Sequence, residues 1–146
     1  MTVRRMQIED YTDVYNLWLA TPRMGLNDVD DSEQGINRML QRNPTLSFIA
    51  EKDNQLVAVI IAGQDGRRGY IYHTAVHLDY RRQGIAQELI KNVLDEMKAL
   101  NISKVGLFIF QDNYSGNSFW NKMGFNIRDD LYYRNHALTE LERIDT

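Results

Sequence analysis

The chain has 146 residues, no cysteine and a formal net charge of −3, with 43% hydrophobic and 25% charged residues. These values predict one globular domain over residues 1–146, and they exclude a disulfide scaffold and any site built on thiolates. The acidic balance argues against a nucleic-acid partner. The lack of an apolar leader or a membrane-length apolar run predicts a cytoplasmic protein with no membrane association.

The N-terminal part predicts two helices with an acidic segment between them. Apolar residues recur at helical spacing over Ile8–Ala20 and Ser32–Arg42. The acidic segment runs from Asp28 to Glu33, and Asp31 with Gln34 has the spacing of a capping box. This segment could attract a cationic substrate, although capping and solubility explain it about as well.

Three strands are predicted next, over Leu46–Glu51, Gln55–Gly63 and Tyr70–Leu78, and the first two form a hairpin. The loop Asp65–Gly69 is either a turn with solvated arginines or a site for an acidic group. Alternation along the third strand sorts its side chains onto two faces, unless a β-bulge reverses the order. One face would hold Tyr70, Tyr72, Thr74 and Val76, and the other would hold Ile71, His73, Ala75 and His77.

The clearest helix is Ile85–Leu100, and the apolar strand Lys104–Phe110 follows it. A strand, a long helix and a second strand make a βαβ unit, so the two strands are predicted to be parallel.

The last third predicts a shorter helix over Tyr114–Met123 that ends at Gly124. A final strand is predicted over Phe125–Tyr133, and the tail from His136 onward is predicted to be frayed.

A basic, glycine-containing loop joins the third strand to the long helix. It reads Arg81-Arg82-Gln83-Gly84-Ile85-Ala86. The first turn of a helix offers free N–H groups, Gly84 allows close backbone approach, and two arginines add charge, so the loop suits a pyrophosphate. The alternative is a basic surface turn. The loop lacks the spacing of a Walker loop or a dinucleotide fingerprint.

The segment Ala75–Ala86 resembles the pyrophosphate-loop motif of the GNAT family of N-acetyltransferases, which reads Arg/Gln-x-x-Gly-x-Gly/Ala. Downstream, Asn113, Trp120 and Gly124-Phe125 match that family's second pattern in order and spacing. The resemblance covers the whole chain. It implies an α/β (α+β) fold: a mixed sheet, flanked by about four helices, whose central parallel strands splay apart to admit acetyl-CoA.

The resemblance also implies which residues bind acetyl-CoA, the expected cosubstrate, and it implies no metal. Thr74, Ala75 and Val76 would offer main-chain groups to the pantetheine arm and the thioester carbonyl. Asn113 would contact the pantetheine region, and position 120 would lie near the sulfur. The pyrophosphate would be wrapped by Arg81, Arg82, Gln83, Gly84, Ile85, Ala86 and Gln87.

Two departures from the family pattern concern proton transfer. The family often has a tyrosine at position 120 that protonates the departing thiolate, but Trp120 is far too weak an acid. Some members carry a glutamate base where this chain has Phe108. We therefore expect a water relay past Tyr70, Tyr72 and His73, with no single residue indispensable. Each of these three side chains has an alternative role in packing.

The sequence thus predicts an N-acetyltransferase that moves an acetyl group from acetyl-CoA to a primary amine by direct attack. The acceptor would be a small molecule or a peptide, and the family resemblance makes a homodimer possible. The alternative is a non-catalytic acyl-CoA-binding sensor or regulatory domain, which Trp120 and Phe108 favour.

Overall fold

The computed structural model of the chain describes residues 1–144 and shows a mixed α/β fold with four α-helices around one sheet, as predicted. Short 3-10 turns at Ile8–Asp10 and Leu78–Tyr80 precede α1 and α3. In chain order the elements are β1 Thr2–Arg5, α1 Tyr11–Leu19, α2 Glu33–Arg42, β2 Phe48–Lys52, β3 Gln55–Gln64, β4 Gly69–Val76, α3 Ile85–Ala99, β5 Val105–Leu107 and α4 Tyr114–Lys122.

The sheet has the strand order β1-β2-β3-β4-β5. The first three pairings are antiparallel, and β4 pairs with β5 in parallel, which confirms the predicted βαβ unit. Strand β1 was not predicted. It has only four residues, which is too short for a clear alternation, and it adds to the sheet by pairing with β2.

Two apolar layers cover the two faces of the sheet. On one face, Leu89, Val93 and Met97 of α3 are fully buried against β3 and β4. On the other face, buried side chains of α1 and α2 pack against β3. Because both faces of β3 are covered, its sequence from Val57 to Ala62 is continuously apolar. Each large side chain buried in this way contributes about 1.5–3 kcal/mol.

The predicted strand Phe125–Tyr133 is wrong, because these residues form no strand in the part of the chain that the structure describes. Strand-disfavouring residues interrupt the segment, and Arg128 forms an exposed ion pair with Asp130 at its centre. Strand β5 therefore lies at the edge of the sheet as described, which places the parallel pair at that edge.

The predicted fraying of the tail is also wrong for its last described residues, 142–144. Arg143 pairs with Asn27 in an antiparallel bridge. The N–H of Ile144 donates to the carbonyl of Leu26 at 2.9 Å, and the Ile144 side chain packs on the second apolar layer. The C-terminal end is thus fixed beside the segment that links α1 to α2.

A β-bulge interrupts β4 at Tyr72 and His73. Ala62 of β3 lies opposite Ile71, whereas Ile60 lies opposite Thr74, so β4 has one more residue than β3 over this stretch. Ile71 consequently packs in the α3 layer while Ala75 packs in the α1–α2 layer. Strict alternation would put both on one face. The β-bulge that the sequence analysis kept as an alternative is therefore present, and it changes which face of the sheet the following side chains occupy.

Candidate active site

The parallel strands β4 and β5 separate after a short pairing. Their ladder ends where Ile71 meets Leu107, and no residue of β5 pairs with the rest of β4. A cleft of about 440 Å³, here called the first cleft, opens between them. Its walls and floor include Tyr72, His73 and Thr74 of β4, Phe108–Phe110, Asn113 and Trp120.

At the end of β4, part of the backbone points away from β3, toward the side where β5 no longer pairs. The N–H of His77 donates to Val57 of β3 at 2.7 Å. Because backbone groups alternate in direction along a strand, the N–H and C=O of Val76 and Thr74 point away from β3, while those of Ala75 point toward it. The carbonyl of Val76 accepts a hydrogen bond from Nε of Arg81 at 3.1 Å. Of the three predicted β4 residues, Thr74 and Val76 thus offer backbone groups, whereas Ala75 serves in packing.

One hydroxyl beside the first cleft is buried and has no hydrogen-bond partner among the described residues. Oγ1 of Thr74 is buried and has no hydrogen-bond partner within residues 1–144, although Thr74 lines the cleft. Leaving such a group unpaired costs about 1–3 kcal/mol. A ligand with amide groups, such as pantetheine, would satisfy both this hydroxyl and the unpaired strand edge.

The loop before α3 has the backbone shape that a phosphate group needs. Arg82 and Gly84 both adopt left-handed conformations, with φ of 61° and 79°. No side chain caps the N-terminus of α3, and a Cβ placed on Gly84 would meet nothing within 4 Å. The first turn of this 15-residue helix is thus open to an anion. The side chain of Gln83 accepts a hydrogen bond from Lys52 at 2.8 Å, which adds a cation beside the loop.

Asn113 and Trp120 both lie at the first cleft. Oδ1 of Asn113 accepts the N–H of Gly116 at 3.0 Å and so caps α4. Trp120 is largely buried and makes edge-to-face contacts with Phe119 and Phe125. It forms an apolar wall and offers no acidic group.

A second cleft, of about 970 Å³, lies on the α1–α2 side of the sheet. It shares Gly25, Tyr72 and His73 with the first cleft, so the bulge in β4 is the wall between them. Two carboxylates, Asp30 and Asp31, line this second cleft together with Arg38 and Arg42 of α2. The lining of the second cleft therefore carries both acidic and basic side chains, and is called bipolar here.

Asp31 has a different role from the one its sequence context indicates. The N-cap of α2 is Ser32, whose Oγ accepts the N–H of Gly35 at 3.0 Å, so the predicted capping box at Asp31 is wrong. Asp31 is buried instead, and its Oδ1 lies 2.7 Å from Nε2 of His73. Its Oδ2 accepts the N–H of Asn27 at 2.9 Å. No local pattern predicts this pairing, because the two residues are 42 positions apart.

The rest of the acidic segment contributes less to the second cleft. Asp28 accepts the N–H of Glu142 at 2.7 Å and fixes the C-terminal end. Neither Asp28 nor Glu33 lines the cleft.

The polar loop Asp65–Gly69 forms a turn outside both clefts. Asp65 accepts the N–H groups of Arg67 and Arg68, so the hydrogen bonds of this turn are made within the loop itself.

The two candidate tyrosines have different surroundings. Tyr70 stacks against Phe108, with ring centroids 6.3 Å apart, and it lines neither cleft. Tyr72 is half-exposed and lines both. Partial burial raises the pKa of the Tyr72 hydroxyl above its ordinary value. Deprotonated Tyr72 is therefore even scarcer at neutral pH than an ordinary tyrosinate, which makes Tyr72 a poor base.

Within residues 1–144 no helix is both long enough and apolar enough to cross a membrane. The same residues place no three His, Asp or Glu side chains close enough together to hold a metal ion.

Comparisons with known proteins place the chain among acetyltransferases. Residues 11–125 match the Acetyltransferase (GNAT) family. An acetyltransferase of Sodalis glossinidius is 31% identical over 140 residues, which cover 96% of this chain and 97% of that protein. Among solved structures, Ard1 from Thermoplasma volcanium is similar with a TM-score of 0.77 and 21% identity, covering 87% of this chain and 83% of that one. The PaiA N-acetyltransferase from Thermoplasma acidophilum, in complex with coenzyme A, has a TM-score of 0.75 and 19% identity, covering 88% and 91%.

Proposed function

The chain belongs to the GNAT family and is an N-acetyltransferase, and from this premise we propose that it moves an acetyl group from acetyl-CoA directly to a primary amine. The observation that supports this best is the separation of β4 from β5, which leaves an unpaired strand edge and the orphan hydroxyl of Thr74 at one cleft. The coenzyme A in the similar PaiA structure is consistent with this choice of cosubstrate.

Acetyl-CoA, when bound, supplies an acetyl thioester that an amine can attack. In our proposal the open loop Arg81–Gln87 binds the pyrophosphate through backbone N–H groups and arginine charge. Thr74 and Val76 bind the pantetheine arm, and the N–H of Val76 polarises the thioester carbonyl. Asn113 and Trp120 line the far side of the same cleft.

The second cleft is our candidate for the acceptor site. The two clefts share Tyr72 and His73, so in our proposal an amine held in the second cleft lies beside the thioester end of the first. Its bipolar lining suits an acceptor that carries an anionic group besides the amine. Such an acceptor is a small molecule or a peptide.

The predicted homodimer remains a prediction. The non-catalytic alternative loses support because the relatives are named acetyltransferases.

Thermal unfolding with and without acetyl-CoA tests the cofactor site. Ligand at about 100 times its Kd stabilises the fold by about 2.7 kcal/mol. For a chain of this size, that raises the Tm by roughly 6–10 °C. Gly84→Glu should abolish the shift, because it places a side chain and a negative charge where the pyrophosphate approaches.

Gly66→Glu is the matched control. Gly66 also has a positive φ, of 89°, and open space around it, but it lies in the Asp65 turn and lines neither cleft. The two variants therefore carry the same backbone strain and the same added charge. A full acetyl-CoA shift in Gly84→Glu, or none in the wild type, would overturn the proposed site.

A further inference from the structure

The β-bulge presents His73 at the junction of the two clefts, where a carboxylate holds it. His73 lines both clefts, and its side chain is 17% exposed. Its Nε2 lies 2.7 Å from Oδ1 of Asp31, whose side chain is only 6% exposed. The rings of Trp18 and His73 pack edge to face, with centroids 5.0 Å apart. The imidazole is therefore fixed in position and still reachable from both clefts.

The hydrogen bonds of Asp31 determine where His73 carries its proton. An ionised carboxylate only accepts hydrogen bonds, so Nε2 of His73 must be the donor in this pair. In the neutral ring, the lone pair is then on Nδ1. The second oxygen of Asp31 is already used by the N–H of Asn27. Asp31 thus selects one tautomer of His73 and leaves Nδ1 as the free basic nitrogen.

No other side chain at the first cleft is as well suited to take a proton. Phe108 and Trp120 occupy the positions where the family pattern often has an acid or a base, and neither has a basic group. Tyr70 lines neither cleft, and burial raises the pKa of Tyr72. Tyr133 also lines the first cleft, but it carries a phenol, a poorer proton acceptor than an imidazole. From sequence, a proton relay past Tyr70, Tyr72 and His73 was expected, with no single residue indispensable. The geometry instead favours His73 as the proton acceptor.

We propose that His73 is the general base of acetyl transfer and that Asp31 is the positioning residue that fixes its tautomer. This inference rests on the proposed function. The acceptor ammonium has three protons: one stays on the amide nitrogen, one ends on the coenzyme A sulfur and one is released to solvent. The bond between acceptor nitrogen and acetyl carbon forms, and the carbon–sulfur bond breaks with its electron pair on sulfur. Nδ1 of His73 takes a proton from the amine nitrogen during this exchange.

Asp31→Asn separates this catalytic role from a structural one. The N–H of Asn27 needs an acceptor, so the introduced amide turns its oxygen toward Asn27 and its NH₂ toward His73. Nε2 of His73 then becomes an acceptor and the proton moves to Nδ1. Both hydrogen bonds survive, so the link between the acidic segment and β4 is kept, but the free base at Nδ1 is lost.

The first measurement is ¹⁵N NMR of the histidine rings in the protein without acetyl-CoA. The chain has three histidines, and His73→Gln identifies the His73 signals by their loss. We expect the Nε2–H tautomer in the wild type and the Nδ1–H tautomer in Asp31→Asn. An Nδ1–H tautomer in the wild type, or a doubly protonated ring at the pH of maximal activity, would overturn the inference whatever the activity is.

The second measurement compares acetyl transfer among the same variants. We expect kcat to fall by about 100-fold or more in Asp31→Asn and His73→Gln, with an unchanged Kd for acetyl-CoA. His136→Gln, in the exposed C-terminal part, is the control and should keep the wild-type kcat. If the wild type transfers no acetyl group, the proposed function itself fails. If the wild type is active and Asp31→Asn matches it in kcat, only the assignment of His73 and Asp31 fails.

Discussion

The orphan hydroxyl of Thr74 allows a test in which fold stability and ligand binding change in opposite directions. Thr74→Val replaces the hydroxyl by a methyl group and keeps the β-branched shape that a strand favours. Because Oγ1 is buried and unpaired, removing it should stabilise the ligand-free protein by about 1 kcal/mol. For a chain of this length, that raises the Tm by roughly 2–4 °C.

The same change should weaken acetyl-CoA binding. If Oγ1 pairs with the ligand, its loss removes one hydrogen bond worth about 0.5–1.5 kcal/mol, which raises the Kd by roughly 2- to 12-fold. Differential scanning calorimetry gives the first quantity and isothermal titration calorimetry gives the second. Thr74→Ser keeps the hydroxyl and is the matched variant, so its Kd should stay near that of the wild type. A lower Tm for Thr74→Val together with an unchanged Kd would refute the reasoning.

Two further predictions concern the N-terminal ion pair and the acceptor cleft. Asp10 is paired with Arg4 at 2.7 Å; burial pushes its pKa upward, but hydrogen bonds from Arg4 and the N–H of Gln7 outweigh burial and hold the pKa below its ordinary value. The folded state therefore gains stability above the unfolded-state pKa and loses it as the pH falls through the folded-state pKa. Asp10→Asn should thus cost about 1 kcal/mol at pH 7 and progressively less as the pH falls through that folded-state pKa; a cost that stays constant from pH 7 into the acid range in urea unfolding would contradict this. The double change of Arg38 and Arg42 to Gln should raise KM for amines that also carry a carboxylate or phosphate, with little change in kcat; equal KM values in this variant and in a control with Arg67 and Arg68 changed to Gln would refute it.

The elements that carry the motif could be predicted from sequence. A strand end before α3, the N-terminus of α3 and the cap of α4 at Asn113 are short-range features, so local spacing indicates them. The long helix was predicted for the same reason: its apolar residues repeat at helical spacing, and Leu89, Val93 and Met97 are buried as that spacing requires.

The parts that depend on distant contacts could not be predicted. Asp31 lies in a sequence that suggests a cap, and only the folded chain brings it to His73. The bulge in β4 shows no glycine or other local signal at Tyr72 and His73, and it is visible only in the register with β3. The failed strand at Phe125–Tyr133 is the converse case: its apolar residues suggest a strand, but the strand-disfavouring residues between them outweigh that pattern.

Transfer of a labelled acetyl group from acetyl-CoA to a panel of amines, with the products identified by mass spectrometry, tests the proposed reaction most directly. The panel would include polyamines, amino acids, aminoglycosides and peptides with free N-termini. We expect that the label enters an amide of at least one acceptor class, that one free coenzyme A is released for each amide, and that Gly84→Glu abolishes both. Binding of acetyl-CoA without label transfer to any amine, and without release of coenzyme A above background, would contradict the proposed reaction and support a non-catalytic acyl-CoA-binding domain.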